Sequence, residues 1–174
     1  MKLFTVVVTL VLFLTACSSS GDSETTSSGD SPTPMAAALE ELVTKDHTFG
    51  SGPPPFSEYL IQSATDPNAG DGSGGDSGRP LSTDERAAIE AAISPLGHVS
   101  WIDDPADWRT ENLEPTIEGA AILGVGEPSF DGDHALVPVS LWCGGLCATW
   151  LTYELELVDG SWHVIGIDGP VAIS

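Results

Sequence analysis

The chain has 174 residues, 26 of them acidic and five basic, giving a formal net charge of −21. So negative a surface repels nucleic-acid phosphates and anionic lipid headgroups, which excludes nucleic acid as a partner and leaves solubility as the ordinary role of the charge. The length suits one domain of common size rather than two.

Met1 and Lys2 make a short positive start, residues 3–14 are almost unbroken apolar, and the segment closes with Leu14-Thr15-Ala16-Cys17. A run of this length is too short for a bilayer span, which takes ~20 residues, and matches the core of a secretory leader. Small residues followed by cysteine resemble the lipobox of bacterial lipoproteins. The resemblance implies that residues 1–16 are a signal peptide removed before Cys17, and that the Cys17 thiol receives a diacylglycerol. It also implies an acylated new amine, so that more than one buried chain holds the protein stably to the membrane. The location implied is the extracytoplasmic face of the bacterial cell membrane. An ordinary secretory leader with an incidental cysteine is the alternative. Loss of Lys2 with the leader leaves four basic residues against 26 acidic ones, a net −22, so lipid and not electrostatics must hold the protein at the membrane.

Residues 17–34 are nearly all Ser, Thr, Gly, Asp and Pro, without a large apolar side chain, and read as a disordered tether. A single domain is expected over 35–174. Leu39, Leu42 and Val43 fall at helical spacing in 35–45, with Pro34 suited to the first turn and Lys45 to the last. Between Phe49 and Phe56 three consecutive prolines favour a stiff extended connection packed on the domain's own surface; a polyproline ligand for an aromatic groove is the alternative. Residues 58–62 read as a strand, and 65–79 as a flexible, solvated Gly/Asp/Ser loop.

That loop carries two motif resemblances. Gly75-Asp76-Ser77-Gly78-Arg79-Pro80 resembles the nucleophile motif of trypsin-like serine proteases, but the short stretch before Ser77 cannot supply the rest of that family's site, and His47 lacks its context. Asp66, Asn68, Asp71 and Asp76 suggest an EF-hand, yet from Asp66 the sixth position is Asp71 and the twelfth Ser77, where that loop needs glycine and glutamate.

The strongest helix signal is 81–94, with Ser82 and Glu85 spaced as a capping box and Ala88, Ile89, Ala92 and Ile93 as the buried stripe. Residues 98–102 predict a strand. Asp103, Asp104 and Asp107 then mark a solvated acidic turn, since His98 alone does not complete a metal-ligand set. Four strands finish the chain: 118–126, one from 134, one after Cys147 and 161–167, with Asp131-Gly132 and Asp159-Gly160 as tight turns. Ala135, Val137, Val139 and Leu141 share one face, as do Leu151, Tyr153, Leu155 and Leu157. The predicted fold class is α+β, an antiparallel meander of four to six strands packed by two helices.

Chemistry is sparse. His47, His98, His134 and His163 are scattered with no zinc-site spacing, although His134 and His163 could meet across the sheet. No metal and no cofactor is expected. With Cys17 lipidated, Cys143 and Cys147 remain, bracketing Gly144-Gly145-Leu146 at a hairpin tip. Export and strand flanks favour a structural disulfide over a thiol redox site, whose cysteines are usually two residues apart at a helix start. So short a loop adds only ~1–2 kcal/mol in the chain-entropy model. Trp142 and Trp150 flank this clasp. They form either a cross-strand pair that stabilises the sheet or, if they face solvent, a binding surface.

From Ile122 to the end the chain resembles a recurring domain of secreted bacterial proteins. The residues that carry this are Cys143 to Cys147, the Tyr153-x-Leu155 strand, Asp159-Gly160-x-Trp162-x-Val164 and the terminal Ile173-Ser174. That resemblance implies no particular function. A helix followed by a meander is also similar to the nuclear-transport-factor-2-like and cystatin-like folds, which implies a concave sheet face that can form a pocket. The functional expectation is a noncatalytic binding or accessory module at the cell envelope, engaging an envelope protein or a small ligand. A small hydrolase or isomerase with a pocket in the curved sheet is the competing class.

Overall fold

The computed structural model describes residues 33–50, 52–71 and 78–174. The expected leader, Cys17, the expected tether up to residue 32, and Gly75, Asp76 and Ser77 lie outside the described residues. Helix α1 (Pro34–Thr44) begins at Thr33, whose hydroxyl accepts from the Ala36 amide, with proline at the first position where a missing N–H costs nothing. Helix α2 (Thr83–Ile93) begins at Ser82. Its hydroxyl takes the Glu85 amide while the Glu85 carboxylate takes the Ser82 amide, which completes the capping box.

Seven strands form one mixed sheet: β1 (Glu58–Gln62), β2 (His98–Ile102), β3 (Ala120–Val125), β4 (Ser129–Asp131), β5 (His134–Gly144), β6 (Cys147–Val158) and β7 (Ser161–Ile173). The order is β2-β1-β3-β5-β6-β7, with β4 paired beside β5. This corrects the expected meander of four to six strands. From β3 onward the pairing is antiparallel, but β1 lies parallel to both β2 and β3. The physical reason is α2. Parallel neighbours need a crossover of a dozen or more residues, and a helix between two short strands supplies one. The seventh strand is β4, whose three residues pair with β5 before Gly132 turns the chain at φ 61°.

The two helices cover one face of the sheet. Leu39, Leu42 and Val43 of α1 and Ile89 and Ile93 of α2 are fully buried against Tyr59 and Ile61 of β1, Leu123 of β3, Val137 and Val139 of β5, and Leu151 and Tyr153 of β6. Tyr153 donates to the Asp46 carboxylate at 2.6 Å, and burial with that negative partner pushes its phenol well above the usual range.

On the opposite face two irregular segments pack against the sheet. Residues 103–119 cross from β2 to β3 over β1 and lay Trp108 on a second cluster formed by Leu60, Ile102, Ala120, Ile122, Trp142 and Ala148. Residues 64–71 fold back over β3 and β5. The Asp66 amide donates to the Val125 carbonyl at 2.8 Å and the Gly70 amide to Val139 at 3.2 Å. The 65–79 stretch is therefore not solvated throughout, since Thr65, Asp66 and Gly70 are buried. At Gly78 the absent side chain lets backbone approach backbone, since a Cβ there would collide with the Thr65 carbonyl.

Candidate functional site

Between these two segments, on the face away from the helices, the sheet carries a cavity of about 480 Å³. Its floor is Ile122 and Ser140, which stand on the open-face positions of β3 and β5; Trp142 and Trp150 come from β5 and β6, and Arg109 from the 103–119 segment. Ser140 is paired with Trp150, and Trp142 with Ala148, so the two indoles are diagonal neighbours on one face and not a directly opposed pair. Trp142 is 9% exposed and Trp150 half-buried. The structure thus brings both sequence-identified tryptophans to the same hollow.

The centre of the cavity is a polar cluster over Gly124. The Asp66 carboxylate is only 7% exposed and Ser140 6%, and the Ser140 hydroxyl donates to Asp66 Oδ2 at 2.9 Å. Asp66 Oδ1 accepts from the Asn68 amide at 2.8 Å, in the local turn that aspartate favours, and from the Asn68 side chain at 3.4 Å. A Cβ at position 124 would fall against the Asp66 carboxylate, the Ser140 hydroxyl and the Gln62 amide together, so glycine is what allows the three to converge. Sequence reasoning singled out Asp66 only as a failed calcium ligand and passed over Gln62, Ser140 and Gly124. The available signal was a serine and a glycine on the open-face positions of two otherwise apolar strands.

Arg109 stands at the rim. Its guanidinium lies 4.5 Å from the centroid of the Trp142 ring, and among the described residues no carboxylate is within ion-pair distance of it. The segment that carries it is fixed by Thr116 N–H to Trp108 O at 3.0 Å, Thr110 N–H to Glu114 O at 2.8 Å, and a left-handed Leu113 at φ 58°. Its tip is held by the clasp: the Gly145 amide donates to the Leu113 carbonyl at 2.8 Å. Cys143 and Cys147 sit there at disulfide-bonding distance, their Cα atoms 5.1 Å apart, with the Thr48 hydroxyl 3.4 Å from the Cys147 sulfur. The clasp therefore borders the mechanical support of the cavity, not its interior.

The other residues considered from sequence are placed elsewhere. His134 and His163 do not meet, because each is paired with Glu156 from opposite sides of β6. His98 bonds Glu58 at 2.9 Å on the parallel edge, and Glu58 also takes the Ser100 hydroxyl at 2.7 Å. Asp104 caps a 3-10 turn (Pro105–Trp108) and Asp103 accepts from Ser63, so that corner has structural partners. No group of three or more metal-ligating side chains occurs among the described residues. Arg79, from the protease-like motif, forks onto Glu85 at 2.7 and 2.9 Å and reaches Glu127 at 2.7 Å. Those hydrogen bonds from Arg79 lower the Glu85 pKa to about 2.

A larger hollow of about 640 Å³ opens beside the clasp, near Phe49, Phe56 and Ile117, but its polar side chains, Glu114, Thr116 and Glu118, are all exposed. Convergent buried polar groups with an aromatic wall distinguish the open-face cavity. Chemically that set can donate, accept and pack. The imidazole that would activate Ser140 as a nucleophile is not among the residues lining it. No protein-family model matches the chain, and no curated protein or solved structure matches it.

Proposed function

We propose that the chain is a lipid-anchored binding module of the bacterial cell envelope, held by acylated Cys17 and a tether that runs from there to the start of α1, which takes a small ligand into the open-face cavity. The observation that carries the binding half is the convergence of buried Asp66 and Ser140 with half-buried Gln62 over Gly124, beside Trp142 and Trp150 and near Arg109, which has no carboxylate at ion-pair distance among the described residues. A domain serving only as a spacer has no need to bury a carboxylate and a hydroxyl in a hollow, where their desolvation is unfavourable. The anchoring half rests on the lipobox resemblance at Leu14-Thr15-Ala16-Cys17. No helix among the described residues is long and apolar enough to cross a membrane.

Two experiments test the two halves separately. Mass spectrometry of the mature protein is expected to find Cys17 as the first residue with acyl mass on it; a free Cys17 thiol removes the anchor. A thermal-shift screen of small polar molecules is expected to stabilise the wild type and to lose that stabilisation in Trp150→Ala. Hits indifferent to Trp150→Ala would move the site elsewhere.

A further inference from the structure

The donors and acceptors of the cavity define a ligand class. We infer that the site takes a neutral saccharide, one or two pyranose rings in size; this rests on the reading of the open-face cavity as a binding site and goes on to name its ligand. Three observations lead there. The first is charge balance. Asp66 contributes one negative charge and Arg109 one positive charge, so a hollow in a chain of net charge −21 is itself neutral and asks for no net charge on its ligand. A small anion would have to approach against the field of the whole protein, and a cation would meet Arg109 at the rim.

The second is the kind of polar group present. Asp66 only accepts and Arg109 only donates, while the amides of Gln62 and Asn68 and the hydroxyl of Ser140 do both. A ligand whose groups each donate and accept satisfies such a set from more than one side, and ring hydroxyls are such groups. Asp66 keeps lone pairs beyond those used by Ser140 and Asn68, and Gln62 makes no side-chain hydrogen bond among the described residues. The third is the apolar wall. Ile122, Pro67, Pro105 and the half-buried Trp150 offer the C–H surface of a pyranose a place to pack, and tryptophan supplies that area at low cost in side-chain entropy. The cavity, at about 480 Å³, is large enough for one or two rings.

Calorimetric titration of the mature chain in a sugar-free zwitterionic detergent tests this directly. The panel comprises glucose, galactose, N-acetylglucosamine and their disaccharides, set against free α-amino acids and small dicarboxylates. At least one neutral saccharide is expected to bind with Kd on the order of 1 mM, ordinary for a ligand of about a dozen heavy atoms. Arg109→Ala and Gln62→Ala, whose side chains are not part of the core, are each expected to weaken it about tenfold. Asp66→Asn, nearly the same shape, is expected to weaken it at least as much. Binding of amino acids or dicarboxylates alone, weakened by the same variants, would overturn the saccharide while leaving the cavity a binding site. Saccharide binding untouched by all three variants would place the sugar elsewhere and overturn the inference. No heat from any member of the panel at its solubility limit would overturn both readings.

Discussion

Gly124 is the residue on which the cavity depends most. It stands on a strand whose described neighbours, from Ala120 to Val125, are all buried, and the space a side chain would fill holds Asp66, Ser140 and Gln62. Gly124→Ala is therefore expected to destabilise the fold by about 1–3 kcal/mol and to abolish ligand-dependent stabilisation, as read by thermal unfolding with and without ligand. A variant as stable as wild type with the ligand response intact would mean that the three polar groups do not meet there. Glu85 supplies a second test at this scale. Its folded-state pKa of about 2 lies below the ordinary carboxylate value of 4.5, so its pair with Arg79 contributes stability that is fully present above about pH 4.5 and fades as the pH falls toward 2. For a pair screened by solvent this amounts to about 1 kcal/mol. Glu85→Gln is expected to be less stable than wild type at neutral pH, with the gap closing through that window; a constant gap would mean that the loss does not come from the ionised carboxylate. At the level of single residues the sequence was legible where a residue serves its own neighbourhood. Ser82 with Glu85 announced a cap because both partners lie within one turn. Asp66, Ser140 and Gln62 announced nothing, since their partnership exists only after loop 64–71 has folded across β3 and β5.

Among elements, the hairpins at Asp131-Gly132 and Asp159-Gly160 and the alternation in β5 and β6 were readable because local turn geometry and a period of two determine them. The parallel arrangement of β1 between β2 and β3 was not, because it is decided by how 83–102 packs back on the sheet and not by any property of a five-residue strand. The helix between the strands was the available clue. The clasp changes meaning at this scale. Beyond its own ~1–2 kcal/mol of chain entropy, it holds Gly145 where its amide can bind Leu113, and with it the segment that presents Arg109. Cys143→Ser with Cys147→Ser is expected to lower the melting temperature by a few degrees. It is also expected to raise amide hydrogen exchange over 108–116 more than over β3. Uniform exchange across both would show that the clasp does not support that segment.

As a whole the molecule has one face of its sheet packed by helices and the other by irregular segments that leave a cavity. The helices, with Leu39, Leu42, Ile89 and Ile93, make the first a core; the irregular segments at 64–71 and 103–119 make the second a hollow between two banks. A sequence declares the first face through periodic apolar residues. It leaves the second unstated, because its walls come from loops with no period. That is why Trp142 and Trp150 stood out by type while their surroundings did not. Whether this hollow binds a ligand decides the function, and four of the five tryptophans report on it. In a 15N spectrum of the mature protein, the indole N–H signals of Trp142 and Trp150 are expected to shift together on titration with a ligand. Those of Trp101, beside α2, and Trp162, on β7, should stay in place. Shifts of Trp101 or Trp162 with Trp142 and Trp150 unmoved would contradict a binding site on the open face.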